Sequence, residues 1–432
     1  MTMHRRTLLT AAAALVAAPA SARGGGSDGG PLAALTDPAN PDGVLGLAVI
    51  ARGPDGAVTL SAAHGLGMTE GDGGPTTRPF TLDTPMRIAS ISKLVAMTGL
   101  MTLVEAGRLS LDDDVSDLVG FPLRHPAHPG VRITPAMLAS HTSGLRNGVS
   151  YPVPLGHDLS EAFTPGGRHF DDGAWFAPAS EPPGFFAYAD VNFAVLAQIA
   201  ERISGERFDR FMTRTVLAPL GLDAGYNWSG VSDAARARAS ACCRRLDGVW
   251  AAQVDGEVAA APAIRVLAAD DQPGLTAEDY RVGRNGFVFS PQGGLRACVS
   301  DLDRLARFYA GSAPPPSRPI VSRESLDRMA TPLWRHDGAN GHTDRGLLQS
   351  WGLSVHVPTG RDGDAFFGPG SVDWRGHFGI AYGLQSGLFW NRRDGRTVSY
   401  MISGTSRDGE GLSSTRTAAS PWEETILEAA LG

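Results

Sequence analysis

The sequence predicts an α+β protein, with one lobe built from strands at both ends of the chain and a mostly helical lobe inserted between them. Three observations carry that expectation. Hairpin patterns lie near each terminus, helical periodicity fills the stretch between them, and 432 residues are too many for one hydrophobic core. The expected boundaries are residues 43–80 and 285–432 for the first lobe and 81–284 for the second.

In chain order, residues 1–22 read as an export leader. His4, Arg5 and Arg6 precede an apolar stretch too short to span a bilayer, Pro19 breaks it, and Ala20-Ser21-Ala22 offers an A-x-A cleavage site. Arg5-Arg6-Thr7-Leu8-Leu9 also resembles a twin-arginine signal, the alternative being an ordinary secretory leader. The expected location is the periplasm or outside the cell. Residues 23–42 read as a flexible segment, glycine-rich at its start.

Apolar runs at 44–51 and 57–63 flank Gly53-Pro54-Asp55-Gly56, and runs at 384–390 and 396–403 flank a turn at Asp394-Gly395. Helical periods cover 90–106, a short piece from Thr134-Pro135, 190–204 and 301–309, with the Pro314-Pro315-Pro316 linker following. A last helix opens at Ser420-Pro421-Trp422-Glu423, where Ser at N-cap, Pro at N1 and Glu at N3 make a capping box.

The formal charge is −7 with no basic run, which disfavours nucleic acid and anionic membranes as partners, and no apolar run is long enough to cross a bilayer. Three cysteines leave two options: a disulfide from Cys298 to Cys242 or Cys243, or buried free thiols. No metal-binding spacing accompanies the paired histidines His125/His128 and His336/His342, which read as solvent-exposed loop residues. The one G-x-S-x-G, at Gly25 to Gly29, follows no strand, so a nucleophile elbow is rejected. No metal or organic cofactor is expected.

Of the 38 basic residues only one, Lys93, is a lysine. Arginine stays protonated at neutral pH, whereas a lysine can be made neutral by its surroundings, so Lys93 is a candidate for chemistry. Ser90-Ile91-Ser92-Lys93 places it three residues after a serine, one helical turn on and on the same face. A serine hydroxyl becomes a nucleophile when a neighbouring base takes its proton, and a neutral lysine can do so. A lone lysine has serine at that spacing by chance about one time in fifteen. Ser92, on the adjacent face, is expected to pack.

From about Gly43 to the C-terminus the chain resembles the serine β-lactamase and penicillin-binding protein superfamily, in its class C-like branch. The segments that carry the resemblance occur in order: Arg87-Ile88-Ala89-Ser90-Ile91-Ser92-Lys93; ITPAMLASHTSGL from Ile133; Pro183-Gly184 with Phe186-Ala187-Tyr188 and on to Gly205; Ala218-Pro219-Leu220-Gly221; Ser290-Pro291-Gln292-Gly293-Gly294-Leu295; and Gly376-His377-Phe378-Gly379. The resemblance implies a β-lactamase/transpeptidase-like fold, an antiparallel sheet flanked by helices.

It also implies a site. Ser90 is the nucleophile, and Lys93 or Tyr188 is the base. His377 lies on an edge strand facing Ser90 and positions substrate charge. The backbone N–H groups of Ser90 and Ile380 form the oxyanion hole. Asp190, Asn192, Phe378 and Gly379 are the expected substrate-binding residues. Tyr188-Ala189-Asp190 replaces the family's Tyr-x-Asn, and an ionised carboxylate only accepts hydrogen bonds where an amide also donates. Asp190 also sits where a helix N-cap belongs, so capping and active-site duty both stand open. Phe378 takes the place of the threonine of Lys-Thr-Gly and removes a hydroxyl that would meet a substrate carboxylate. His141-Thr142-Ser143-Gly144-Leu145 reads as framework.

The expected activity is an exported serine hydrolase that forms an acyl-enzyme with an amide or ester, resembling a D-alanyl-D-alanine carboxypeptidase or an esterase. The alternatives are a class C-type β-lactamase, or a protein that binds β-lactams or cell-wall fragments without turnover. The expected partner is a small-molecule or peptide substrate.

Overall fold

The hairpins expected near the two termini meet in one antiparallel sheet. In the computed structural model, which describes residues 30–71, 74–256, 264–312, 319–405 and 417–432, the strands are β1 (Gly46–Arg52), β2 (Val58–Gly71), β3 (Gly74–Pro79), β4 (Trp374–Ala381), β5 (Leu384–Asn391) and β6 (Thr397–Ile402). Their order is β4-β5-β6-β1-β2-β3. The pairing of β1 with β6, Leu47 opposite Ile402 through Arg52 opposite Thr397, joins the two ends of the chain. The expected leader with Arg5 and Arg6, and the linker at Pro314, Pro315 and Pro316, lie outside the described residues.

Alternation along β1 builds a core on each face, because successive strand residues point opposite ways. Leu47, Val49 and Ala51 pack with Trp422, Ile426 and Leu427 of the C-terminal helix Pro421–Leu431. Ala48 and Ile50 face the other way, toward Leu302, Leu305 and Ala306 of the helix Val299–Ala310. The expected capping box is present: Ser420 Oγ accepts from Glu423 N, and the Glu423 carboxylate accepts from Ser420 N. Burying each such large apolar side chain is worth about 1.5–3 kcal/mol.

The helix that matters most, α1 (Ile91–Glu105), is buried on nearly every side. It is thus a core helix and not a surface one. A second helix, α2 (Val191–Ser204), ends at Gly205 in the left-handed conformation, where the sequence places its stop.

Two features depart from expectation and a third decides between open alternatives. The stretch expected to be flexible to residue 42 is folded from residue 30: Pro31–Leu35 is a short helix with Leu32 buried, and Trp422 Nε1 donates to Asp42 O at 2.7 Å. β2 runs on to Gly71 and pairs with β3, a hairpin that the sequence hides because Gly65 (φ 77° at Gly56, 73° here) bends the strand against Leu45 O. Cys242, Cys243 and Cys298 are buried free thiols, which settles the cysteine question against a disulfide. Among the described residues no helix is long and apolar enough to cross a membrane.

Candidate active site

Ser90 sits where a short strand turns into α1. Met86–Arg87 pairs with Arg296–Ala297, and Ile88 N donates to Leu295 O at 3.0 Å. Arg87 and Arg296 both ion-pair with the buried Asp255, at 2.8 and 3.1 Å. Burial alone would raise that carboxyl; the two guanidinium charges win and hold it at about 2. Ala89 then takes a left-handed backbone conformation, φ 47°, unusual for a residue with a Cβ and a form of local strain that clusters at functional sites. Ser90 follows at the helix N-cap position, yet its side chain makes no capping bond. The hydroxyl is left free, and Ser90 Oγ lies 2.9 Å from Lys93 Nζ. Ser92 packs as expected: fully buried, it accepts from Leu295 N at 3.0 Å.

Lys93 is fully buried. Its ammonium is hydrogen-bonded to Ser90 Oγ, to the backbone carbonyl of Gln292 at 2.8 Å, to Asp190 Oδ1 at 2.7 Å and to the Tyr188 phenol. Burial opposes the charge, but Asp190 and Tyr188 outweigh it and hold the lysine pKa above its ordinary value. The resting lysine is therefore an ammonium and not the neutral amine that a direct base requires.

Tyr188 brackets Lys93 from the other side, its ring centroid 4.9 Å from Nζ and stacked on His141 at 4.2 Å. Burial raises the phenol pKa, Lys93 pulls it down, Asp190 pushes it up again, and the net is a rise. Tyr188 too holds its proton at rest. Asp190 makes no capping bond at the start of α2, which leaves its carboxylate to the site. Tyr151, which the sequence did not single out, donates to Asp190 Oδ2 at 3.0 Å.

β4 is the expected edge strand. His356 bonds to both N and O of Gly376 and covers the strand's first half. Antiparallel bonding alternates, so Phe378 and Ile380 turn their N–H and C=O groups the same way as Gly376, onto an edge with no paired strand among the described residues. The Ile380 N–H therefore opens on the cavity that Ser90 lines.

His377 is buried on the Tyr188 side of the strand, ring centroids 6.4 Å apart. Burial, then the Lys93 charge, lowers it to about 3, so it is a neutral imidazole. Its Nδ1–H donates to the Phe378 carbonyl, which leaves the lone pair of Nε2 without a partner among the described residues. Phe378 packs edge-to-face in the opposite core against Phe366 and Phe389 while also lining the cavity. Gly379 is required where it stands, because a Cβ there would meet Ile88 O and Ser386 Oγ, each at 2.4 Å.

The structure corrects two of the expected placements. Asn192, expected to bind substrate, is fully buried, accepting from the Ser143 hydroxyl at 2.7 Å and 3.1 Å from His141 Nδ1. Residues two apart on a helix do not share a face, so Asp190 and Asn192 cannot both meet the cavity. His125, expected to be exposed, is a core residue bonded to Ala177 O at 2.8 Å.

The cavity holds about 610 Å³. Ser90, Tyr188 and His377 form one wall, and Leu347, Leu348, Trp351, Phe378 and Ile380 give it an apolar lining. At its rim Arg146 and His342 both engage Glu181. Neither Arg146 nor Glu181 belongs to a motif, and His342, paired with His336 in the sequence, is the exposed loop residue expected. Among the described residues no group of three or more His, Cys, Asp or Glu is placed to hold a metal ion.

An antiparallel sheet whose open edge faces a Ser-x-x-Lys helix places the protein in the β-lactamase/transpeptidase-like class of folds. The Beta-lactamase family profile matches residues 34–420, and the chain belongs to that family of serine hydrolases. Penicillin-binding protein 4 of Amycolatopsis lactamdurans is 29% identical over 143 residues, 33% of this chain and 36% of that protein. ML-236A carboxylate methylbutanoyltransferase mlcH of Penicillium citrinum is 27% identical over 194 residues, 41% of this chain and 46% of that one. The matched region thus spans less than half of either relative. The solved structure of EstCE1, described as a hydrolase with promiscuous acyltransferase activity, superposes with TM-score 0.61 at 19% identity, covering 90% of this chain and 94% of that chain. At that identity the likeness establishes the fold.

Proposed function

We propose that this protein is a serine hydrolase that works through a covalent acyl-enzyme on an ester or amide with an uncharged acyl group. Ser90 Oγ attacks the carbonyl, the Lys93–Tyr188 pair carries its proton, and the N–H groups of Ser90 and Ile380 hold the oxyanion. The leaving group departs with a proton, and water then releases the acid. The single observation that carries this reading is the 2.9 Å contact between Ser90 Oγ and Lys93 Nζ at the wall of the cavity.

The preference for an uncharged acyl group rests on the cavity's charges. Arg146 at the rim is paired with Glu181, and Lys93 behind the wall with Asp190, so among the described residues no lysine or arginine lining the cavity lacks an acidic partner. The apolar lining from Leu347 to Ile380 suits a hydrocarbon chain or ring. We place the protein in the periplasm or outside the cell, a reading supported by the leader sequence at residues 1–22.

The test is a parallel turnover assay on a p-nitrophenyl ester, a chromogenic cephalosporin and a D-Ala-D-Ala peptide, with intact-mass detection of adducts. The ester is expected to turn over fastest. Faster cephalosporin turnover would assign a β-lactamase, and a lasting adduct without release would assign a binding protein.

A further inference from the structure

We propose that Asp190 is the terminal acceptor of the Ser90 proton, with Lys93 as the carrier between them. The proposal rests on the hydrolase reading and adds to it the group that makes Ser90 reactive. Lys93 Nζ is hydrogen-bonded to Ser90 Oγ, Gln292 O, Asp190 Oδ1 and the Tyr188 phenol. A backbone carbonyl accepts hydrogen bonds and takes no proton at neutral pH. Tyr188 is a phenol and must lose its own proton before it can take another. Asp190 is thus the group in contact with the ammonium that can receive a proton from it.

Its placement suits the task. Tyr151 O–H holds Asp190 Oδ2 at 3.0 Å, and Gln292 Nε2 donates to that same phenol oxygen at 3.2 Å. Oδ1 is thereby aimed at Lys93. Gln292 touches both ends of the arrangement, with its carbonyl on Lys93 and its side chain on Tyr151. The titratable and charged groups facing the pair are few. Lys93 meets Asp190 and Tyr188, with the imidazoles of His141 and His377 behind them. Asp190 meets Lys93, Tyr151 and Tyr188. Both histidines are neutral and add no charge.

The steps balance. One Lys93 N–H bond breaks and an O–H bond forms on Asp190 Oδ1. The neutral amine turns one third of a rotation about Cε–Nζ, which keeps an N–H on Gln292 O and brings the lone pair to Ser90. The Ser90 O–H bond breaks toward that lone pair as its oxygen bonds to the carbonyl carbon, whose π electrons become the oxyanion. When the intermediate collapses, the leaving group takes a proton from Lys93, and Asp190 returns its proton to the amine. Water repeats the cycle on the acyl-enzyme.

The experiment compares pH profiles of kcat/KM for a p-nitrophenyl ester in the wild type, Asp190→Asn and Asp190→Glu. The wild type should stay active at pH 6, since Lys93 hands its proton to Asp190 and not to solvent. In Asp190→Asn bulk solvent must take the Lys93 proton, so activity should fall about 10²-fold or more at pH 6 and recover as pH rises toward 9. Asp190→Glu should keep the wild-type shape at reduced height. A loss in Asp190→Asn that is equal at every pH, an unchanged profile, or an Asp190→Glu profile shifted like that of Asn overturns the proposal. Should Asp190→Asn fail to fold, the shape of the Glu profile decides alone. Full activity in Ser90→Ala would instead remove the hydrolase reading itself.

Discussion

Gly379 on β4 and Ile88 ahead of α1 pass so closely that a Cβ at 379 would stand 2.4 Å from the Ile88 carbonyl oxygen. Ser386 Oγ–H donates to that same carbonyl at 2.9 Å, which pins it from the neighbouring strand. This contact sets the gap between the edge strand and Ser90. Gly379→Ala should push the strand outward and lower kcat about 10²-fold, as a shift near 1 Å in a reacting group does. Stopped-flow or steady-state ester hydrolysis reads the loss, with circular dichroism to show the fold retained. An unchanged kcat would mean that the gap does not control the reaction.

His377 should not titrate in the physiological range. Burial and the Lys93 charge hold it near 3, so its ring signals in an NMR titration should stay flat from pH 8 down to pH 5. An inflection close to 6.5 would show an imidazole open to water and a different role for the edge strand.

Two buried carboxyls give stability a slope with pH. Burial raises Glu423 and Glu201 to about 7 from an ordinary 4.5, although Tyr400 and Tyr280 donate to them. The folded chain then holds protons that the unfolded chain releases. That stabilisation is complete below the unfolded value and is lost as pH rises through 7. Each group should remove about 1 kcal/mol of unfolding free energy between pH 6 and pH 8. Glu423→Gln, followed by urea denaturation at both values, should flatten the slope by about that amount. A slope identical to the wild type would show that Glu423 is ionised throughout.

How much of this could be read in advance follows from where the information lies. Ser90 and Lys93 share a short motif whose spacing makes them neighbours, and His377 is carried by the family resemblance, so the sequence exposes all three. Tyr151 reaches Asp190 across 39 residues, and the carbonyl of Gln292 reaches Lys93 across 199 residues. Such contacts have no period and leave no pattern. Asn192 misled because it reads naturally beside Tyr188, whereas a helix turns it about 200° from Asp190 and into the core. The hairpin of β2 with β3 was obscured because Gly65 and Gly67 interrupt the strand alternation. The protonation of Lys93 was the largest gap. It depends on a 2.7 Å ion pair whose partner is read from sequence only as an odd substitution in a tyrosine motif.

The most direct measurement of the central claim is ester hydrolysis by Ser90→Ala beside mass mapping of the acyl adduct in the wild type. The account predicts one adduct, on the peptide that carries Ser90, and a loss of turnover of about 10³-fold or more in a variant that still folds. Undiminished turnover in Ser90→Ala, or an adduct on another residue, would contradict it.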